Sequence, residues 1–193
     1  MISFSVVTIV RNDAPGVIRT LQSVLAQTYE NFEIIVQDGA STDYTSDVLR
    51  SFGNQIDSLT IEPDNGIYDA MNRALRRARG EYCIFMNAAD FFVDNKVLAR
   101  AAERIDPTVD DIWAGKALSD EHGTVHNYRE PDRFWAGSTF DHQAAFIRTS
   151  LMQQLEYDIS YEIAGDLHFF TRARQHGAQF TYDDMIIARK PFA

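Results

Sequence analysis

The chain carries two acidic segments, each of which follows a run of apolar residues. Residues 37–43 include Asp38 beside a glycine, and residues 87–90 run from Asn87 to Asp90. In α/β sheets, nucleotides and their metals bind in the crevice outside the carboxyl ends of the strands. Carboxylate and amide oxygens at that position are ligands that Mg²⁺ accepts. Together the two segments indicate an enzyme that acts on a nucleotide-activated substrate.

A polar pair lies between these segments, on the clearest amphipathic helix of the sequence. Apolar residues recur at helical spacing over residues 67–78, and Gly80 follows in the manner of a C-terminal glycine. Asp69 and Asn72 are three positions apart and therefore share one face. Asp69 either contacts a ligand or is a solvated first-turn charge that the helix dipole favours. Ile67 begins the apolar face, so we expect it to pack in the core.

The composition is that of a globular domain. The 193 residues are 45% hydrophobic and 24% charged, which suffices for one domain with a core. The formal net charge of −10 argues against a nucleic-acid partner, because phosphate backbones require clustered Lys and Arg. A local basic patch at Arg73, Arg76, Arg77 and Arg79 either makes a peripheral contact with lipid headgroups or forms a solvated helix face.

Cysteine usage and the lack of long apolar runs bear on location. Cys83 is the only cysteine, so no disulfide can form within the chain, which fits a reducing compartment. The sequence has no N-terminal signal pattern, and no apolar run approaches the roughly 20 residues of a membrane span. We therefore expect no transmembrane segment and a cytoplasmic location, with the inner face of the membrane as a place of contact.

The first half of the sequence alternates strand and helix patterns. Short apolar or β-branched runs occupy residues 4–10, 32–36, 56–62 and 81–86, and helical periodicity follows each of them. This alternation predicts βαβ units and hence an α/β fold with a mostly parallel central sheet flanked by helices.

The second half is less regular. Its patterns predict a hairpin over residues 111–128 and a loop over 129–139. They also predict helices near 149–155 and 166–176 and two closing strands at 179–182 and 185–188. We expect a small antiparallel portion here. The whole chain, 1–193, is expected to be one domain, with a nucleotide-binding half at 1–105 and an acceptor half at 106–193.

These segments, in this order and spacing, resemble the inverting family 2 glycosyltransferases with the GT-A fold. The opening strand, the segment at Asp38 and the stretches 65–72 and 78–82 have counterparts in that family, over nearly the whole chain. The resemblance implies a GT-A fold and transfer of a sugar, with inversion, from a nucleotide diphosphate donor, expected to be a UDP-sugar. The implied acceptor is a glycan or a lipid-linked molecule in bacterial polysaccharide or oligosaccharide biosynthesis.

The metal motif departs from the family pattern. Asn87-Ala88-Ala89-Asp90 stands where the family commonly has Asp-x-Asp at the end of the fourth strand. A divalent cation, Mg²⁺ or Mn²⁺, would stabilise the leaving diphosphate, with Asp90 as its ligand and Asn87 as a neutral oxygen donor. The alternative is that Asp90 caps the following helix. The altered motif also leaves a second function open, a nucleotide-sugar-binding protein that has lost catalysis.

The resemblance implies a donor site at the strand ends. Asp38 is expected to accept the imide N–H of uracil or, alternatively, to stabilise an Asx-type turn. Thr8 and Val10 of the first strand would form a wall beside the base. The other donor-binding candidates are Asn12, Asp69, Asn72, Asn87, Ala88 and Asp90.

A general base must take the proton of the acceptor hydroxyl, because a neutral alcohol attacks the anomeric carbon poorly. Residues 161–170 resemble the family segment that supplies the base, and Asp166 aligns with it. The alternative role for Asp166 is that of a helix N-cap.

Four more residues are candidates for contacts with the diphosphate or the acceptor. His142 would contact either of them, or it is a structural histidine. Trp135 would stack on an acceptor sugar, or it anchors a loop. Arg189 and Lys190 would neutralise the diphosphate if metal binding is weak, or they are surface charges.

Overall fold

The apolar runs of the first half form four parallel strands in the computed structural model, which describes residues 1–119, 124–125 and 141–190. They are β1 (Phe4–Val10), β2 (Phe32–Asp38), β3 (Ser58–Ile61) and β4 (Tyr82–Phe85). β1 lies between β2 and β4, and β3 borders β2. Because Val10 pairs with Asp38, the loops that follow β1 and β2 leave the sheet side by side.

Four helices and one 3₁₀ turn belong to this half: α1 (Ala14–Leu25), α2 (Thr45–Ser51), the turn at Gly53–Gln55, α3 (Ile67–Leu75) and α4 (Val97–Arg104). The start of α1 shows the local chemistry that sets such boundaries. Asp13 accepts a hydrogen bond from the Gly16 N–H at 2.9 Å, and Pro15 lies in the first turn, where its missing N–H costs nothing.

The first half also contains a two-residue strand, β5 (Phe91–Phe92). The second half adds β6 (Ile112–Ser119), β7 (Thr124–Val125), β8 (Ala145–Arg148) and β9 (Phe180–Lys190), together with α5 (Thr149–Leu155), α6 (Gly165–Gln175) and a 3₁₀ turn at His142–Ala144. The strand order is β3-β2-β1-β4-β8-β6-β9-β5, with β7 paired to β6. β8 is antiparallel to β4 and β6, and β6 is parallel to β9. The predicted α/β architecture with an antiparallel portion in the second half is confirmed.

Both faces of the sheet are buried. Neighbouring residues of β1 point to opposite sides, so Val6 belongs to the core that contains residues of α1, α2 and α4, whereas Val7 belongs to the core that contains residues of α3, α5 and α6. Continuous apolar runs suit central strands that are covered on both faces. In the described part of the chain, no helix has the length and apolar composition that crossing a bilayer requires.

Two details differ from the prediction. α3 ends at Leu75, and the Gly80 N–H donates to Ser5 Oγ at 2.9 Å, so Gly80 belongs to the junction with β1 and not to a helix cap. The two short closing strands form one strand, β9, whose register against β6 shifts on both sides of Lys116. That irregularity interrupts the alternation of side chains along β9. The sequence pattern therefore predicted two short strands in place of one.

Candidate functional site

A crevice of about 370 Å³ opens at the carboxyl ends of β1 and β4. Val10 at the end of β1, and Asn87 and Ala88 after β4, form one side of it. Gly66 and Ile67 at the start of α3 form the other. The expectation that Ile67 packs in the core is wrong, because it is the first residue of α3 and its side chain faces the crevice and solvent.

Asp38 is fully buried at the end of β2. Its carboxylate accepts hydrogen bonds from Ser41 N at 2.9 Å, Ser41 Oγ at 2.6 Å and Ser46 Oγ at 2.5 Å. Asn12 ties the neighbouring loop to this one, since its Oδ1 accepts from Thr42 N at 2.7 Å. These bonds engage one oxygen of Asp38 in the loop after β2 and the other at the start of α2, which favours the turn-stabilising alternative.

Thr8 lies two residues before Val10 on the same face of β1, since the side chains of a strand alternate. Its side chain is fully buried, and its hydroxyl has no hydrogen-bond partner among the described residues. Val10 borders the crevice directly. Of the two predicted wall residues, Val10 therefore faces the cavity and Thr8 lies deeper in the strand.

Asp64 and Arg11 also border the crevice, and neither is among the residues that the sequence pattern predicts for the donor site. Asp64 Oδ1 accepts from Gly66 N at 3.0 Å, and its other oxygen packs against Gly39, where a Cβ atom would lie only 2.4 Å away. A glycine at position 39 permits this approach. Asp64 follows the carboxyl end of β3, so the rule that identified the other acidic strand ends applies to it. β3 has only a weak apolar pattern, so the sequence does not mark Asp64 as a carboxylate at a strand end.

The side chains of Asp69 and Asn72, both in α3, form hydrogen bonds and an ion pair with other protein groups. Asp69 Oδ2 accepts from Asn65 N at 2.9 Å and from Arg73 at 2.9 Å. The bond from Arg73 is the main cause of the lowered pKa of Asp69, since it outweighs burial. Asn72 donates to Tyr157 O and accepts from Tyr157 N, both at 2.8 Å. Both buried side chains are thus bonded to protein groups and not directed into the crevice.

The His142 side chain lies between Asn87, which follows β4, and Asp166, which is in α6. Its Nε2 lies 3.2 Å from Asn87 Nδ2, and its Nδ1 lies 3.4 Å from Asp166 Oδ2. The topology explains this position, because β8 runs antiparallel to β4 and the 3₁₀ turn that precedes β8 therefore lies beside the residues that follow β4. The ionised Asp166 carboxylate can only accept a hydrogen bond, so Nδ1 carries a proton and donates to it.

Asp166 is the second residue of α6, and Ala164 occupies the N-cap position, so the N-cap alternative for Asp166 is wrong. Burial raises the pKa of this carboxyl, but the hydrogen bond and charge of His142 and the Leu167 N–H together lower it below its ordinary value. The first turn of a helix also favours a negative charge. Asp166 is therefore ionised at neutral pH, as a general base must be.

Tyr68 fixes the start of α6. The Tyr68 hydroxyl accepts from Gly165 N at 2.8 Å, and a Cβ atom at Gly165 would lie 2.6 Å from the tyrosine ring. Only glycine permits that approach. Ala164 has a φ of 62°, in the left-handed region, so this turn is held in an uncommon conformation beside Asp166.

Asp90 is nearly buried after β4. Burial raises its pKa to about 6, against the opposing effects of His142, Gln143 and Lys190. Thr20 Oγ1 holds the turn by donating to the Asp90 carbonyl at 2.7 Å. The following helix, α4, has its N-cap at residue 96, so the helix-cap alternative for Asp90 is wrong.

The remaining candidates divide between the site and its surroundings. Lys190 Nζ lies 2.5 Å from Asp141 Oδ1, next to His142, and so belongs to the site through that ion pair. Arg189 is exposed and pairs through its backbone with Phe91 of β5. Trp135 lies outside the described residues.

The four arginines of the basic patch are bonded to neighbouring groups of the protein. Arg73 pairs with Glu62 and Asp69, Arg76 with Glu156, and Arg79 with Glu33, at 2.7–3.0 Å, while Arg77 donates to Gln37 and to Val36 O. These bonds favour the surface reading over contact with lipid headgroups.

Comparison with known proteins agrees with this architecture. The family model for glycosyl transferase family 2 matches residues 5–178. A Mycobacterium tuberculosis protein described as an uncharacterized glycosyltransferase is 36% identical over 179 residues, which cover 88% of this chain and 68% of that protein.

Two solved structures share the fold. Staphylococcus aureus TarS in complex with UDP-GlcNAc superposes with a TM-score of 0.83 at 20% identity, over 99% of this chain and 59% of TarS. The mannosyltransferase PcManGT of Pyrobaculum calidifontis, in complex with GDP-Man and Mn²⁺, gives 0.75 at 23% identity over 98% of this chain and 56% of that chain. The chain thus spans less than two thirds of either solved protein. It has the GT-A fold, and it belongs to glycosyl transferase family 2.

Proposed function

We propose that this protein is an inverting glycosyltransferase that moves a sugar from a UDP-sugar to a hydroxyl group of a glycan or lipid-linked acceptor. One observation carries the proposal: His142 joins Asp166, in the acceptor half at 106–193, to Asn87 at the crevice of the nucleotide-binding half at 1–105. An ionised carboxylate is therefore linked, through the His142 side chain, to a residue that lines the cavity in which a nucleotide would bind. The complex of TarS with UDP-GlcNAc supports a uridine nucleotide as the donor.

In the proposed reaction, Asp166 is the general base. The acceptor hydroxyl gives its proton to the Asp166 carboxylate while its oxygen attacks the anomeric carbon. The bond between that carbon and the diphosphate oxygen breaks in the same step, and the nucleoside diphosphate leaves with the electron pair. Because the attack comes from the face opposite the leaving group, the anomeric configuration inverts.

The donor would lie in the crevice between Val10, Ala88 and Gly66. We assign to Asp64 a hydrogen bond to the base or the ribose, since it is the carboxylate that borders the cavity on the side of β3. Asp38 would shape the same region indirectly, through the serines that its carboxylate holds.

Negative charge builds on the leaving diphosphate, and a cation stabilises it. A divalent cation, Mg²⁺ or Mn²⁺, would supply that charge when bound. Within the described residues, no cluster of three His, Cys, Asp or Glu side chains is arranged to hold a metal. Asp90 and the buried Asn87 Oδ1, which has no hydrogen-bond partner there, fit a cation bound mainly by phosphate oxygens and water.

Two measurements test the proposal. Calorimetry with UDP, with and without Mg²⁺ or Mn²⁺, tests nucleotide binding, and the absence of binding would contradict the proposed donor. Release of UDP from a panel of UDP-sugars, with a set of acceptor glycans, tests catalysis. Product formation by the wild-type protein, with the anomeric configuration assigned by NMR, would establish transfer with inversion.

The altered metal motif favours one alternative function, a nucleotide-sugar-binding protein without catalysis. In that case UDP-sugars would bind in the crevice, and no UDP would be released above the rate of an Asp166→Asn variant. The two candidates thus share the binding result and differ in turnover.

A further inference from the structure

A second groove, of about 250 Å³, adjoins the crevice. Gly66 and Ile67 border both cavities, and residues 159–162 form the far side of the second one. Four apolar side chains are exposed in this region, and we call them the apolar rim. They are Ile67, Ile159, Tyr161 and Ile163, with exposed fractions of 45%, 55%, 41% and 83%.

Tyr68 links the groove to the start of α6, which carries the proposed general base. Tyr68 borders the groove, and the same Tyr68 hydroxyl accepts from Gly165 N at 2.8 Å, one residue before Asp166. Ile163 is three residues before Asp166. A molecule that presents a hydroxyl to Asp166 can therefore extend into this groove while the donor occupies the adjoining crevice.

The part of the apolar rim at residues 159–161 lies in an ordered turn. The Asp158 carboxylate accepts from Ser160 N at 3.0 Å and from Ser160 Oγ at 2.7 Å. The Tyr161 ring stacks on His168 of α6, with 4.5 Å between ring centroids. Single exposed apolar residues are ordinary, but a cluster beside a groove marks a binding surface.

The charged residues around the groove indicate which kind of molecule it can bind. Among the described residues, Asp69 and Glu162 are the charged residues that line the groove, and no Lys, Arg or His lines it. Asp69 is paired with Arg73, so Glu162 gives the lining a net negative charge, which disfavours anionic lipid headgroups and phosphate-bearing acceptors. An uncharged apolar group fits both the rim and the surrounding charge.

We infer that this groove binds the uncharged alkyl or aryl aglycone of the acceptor, with its sugar hydroxyl directed to Asp166. The inference rests on the proposed transferase function, and it specifies the acceptor class of that same site. It predicts that apolar aglycones increase acceptor affinity and that residues of the rim cause the increase.

The experiment compares octyl β-D-glucopyranoside, below its micelle-forming concentration, with methyl β-D-glucopyranoside as probes of the full chain in the presence of UDP. Binding is measured by saturation-transfer NMR titration. We expect the octyl compound to bind on the order of tenfold more tightly, since each buried methylene favours binding. In an Ile159→Ser, Ile163→Ser double variant, that preference should disappear. Val109→Ser is the matched control, because Val109 is also exposed and precedes β6, away from the groove.

Thermal unfolding and UDP calorimetry on each variant separate the two proposals. Loss of the octyl preference with unchanged UDP affinity and melting temperature supports the inference. Equal binding of the two probes, or an octyl preference that survives in the double variant, overturns it while UDP binding leaves the proposed function intact. A rim-dependent dimer, or rim-dependent binding to anionic phosphatidylglycerol vesicles, would assign the surface to a second copy or to a membrane and would also overturn it. Absence of UDP binding in all variants would instead refute the proposed function.

Discussion

His142 Nδ1 lies 3.4 Å from Asp166 Oδ2, and Nε2 of the same imidazole lies 3.2 Å from Asn87 Nδ2. One side chain thereby connects the loop after β4 with the first turn of α6, although these segments are far apart in the sequence. We expect His142 to act as a positioning residue that keeps the Asp166 carboxylate oriented and ionised.

Replacing His142 should change the pH dependence of transfer. Burial raises the pKa of Asp166, and the bond and charge of His142 contribute to lowering it below its ordinary value. A carboxylate base works above its pKa, so wild-type activity should fall only as the pH drops through that lowered pKa. In His142→Ala, less remains to oppose the effect of burial, so the pKa of Asp166 should rise. The acidic limb of the kcat/KM profile should therefore move to higher pH. The rate at neutral pH should fall by up to about 10²-fold, because the base is less well positioned.

His176→Ala is the control for this experiment, since His176 is exposed at the far end of α6 and its ring bonds to the Arg172 carbonyl, away from Asp166. An acidic limb that stays at its wild-type position in His142→Ala would contradict the positioning role.

Asp38 and Asp64 should differ in what their loss affects. Asp38→Asn replaces one of the two oxygens that accept from Ser41 and Ser46 with an NH2 group, which cannot accept, so we expect the free energy of unfolding to fall by about 1–3 kcal/mol. Asp64→Asn should leave stability nearly unchanged and weaken UDP binding on the order of tenfold, as hydrogen bonds to charged groups contribute about 1.5–3 kcal/mol. Urea unfolding and UDP calorimetry measure the two effects. The reverse outcome would return base recognition to Asp38.

Asn72→Ala should destabilise the protein without weakening donor binding. The substitution leaves the buried Tyr157 N–H and carbonyl without partners, so we expect a loss of about 2–4 kcal/mol in the free energy of unfolding. Urea unfolding tests this value, and Arg50→Ala, which removes an exposed ion pair with Asp47, provides a control with little expected change. A variant with wild-type stability and weakened UDP binding would show that Asn72 contacts the donor.

The effect of a divalent cation on nucleotide affinity should require both Asp90 and the diphosphate group of the nucleotide. If phosphate oxygens supply most of the ligands, Mn²⁺ should raise the affinity for UDP more than that for UMP, and Asp90→Asn should remove the difference. Calorimetry with each nucleotide, with Mn²⁺ and with EDTA, measures this coupling. Full Mn²⁺ stimulation in Asp90→Asn would exclude Asp90 as a ligand.

Local patterns predicted the parts of this protein that depend on neighbouring residues. The strands at 4–10 and 32–36, the amphipathic start of α3 and the helix that carries Asp166 all follow from periodicity and strand-end chemistry. β8 was not predicted, because four residues are too few to show an alternation.

Side-chain roles that depend on distant partners were harder to predict. The shared face of Asp69 and Asn72 suggested a ligand contact, yet Asn72 is bonded to Tyr157, 85 residues away. The bridging position of His142 likewise follows from the antiparallel pairing of β8 with β4, which no local pattern contains.

The most direct test of the central claim is the transfer rate of Asp166→Asn. The amide keeps the size of the side chain and cannot accept the acceptor's proton, so we expect turnover to fall by about 10²–10⁴-fold with UDP affinity and melting temperature nearly unchanged. Asp184→Asn, which alters an exposed carboxylate paired with Lys116, should retain wild-type turnover. Turnover of Asp166→Asn close to that of the wild type would contradict the assignment of Asp166 as the base.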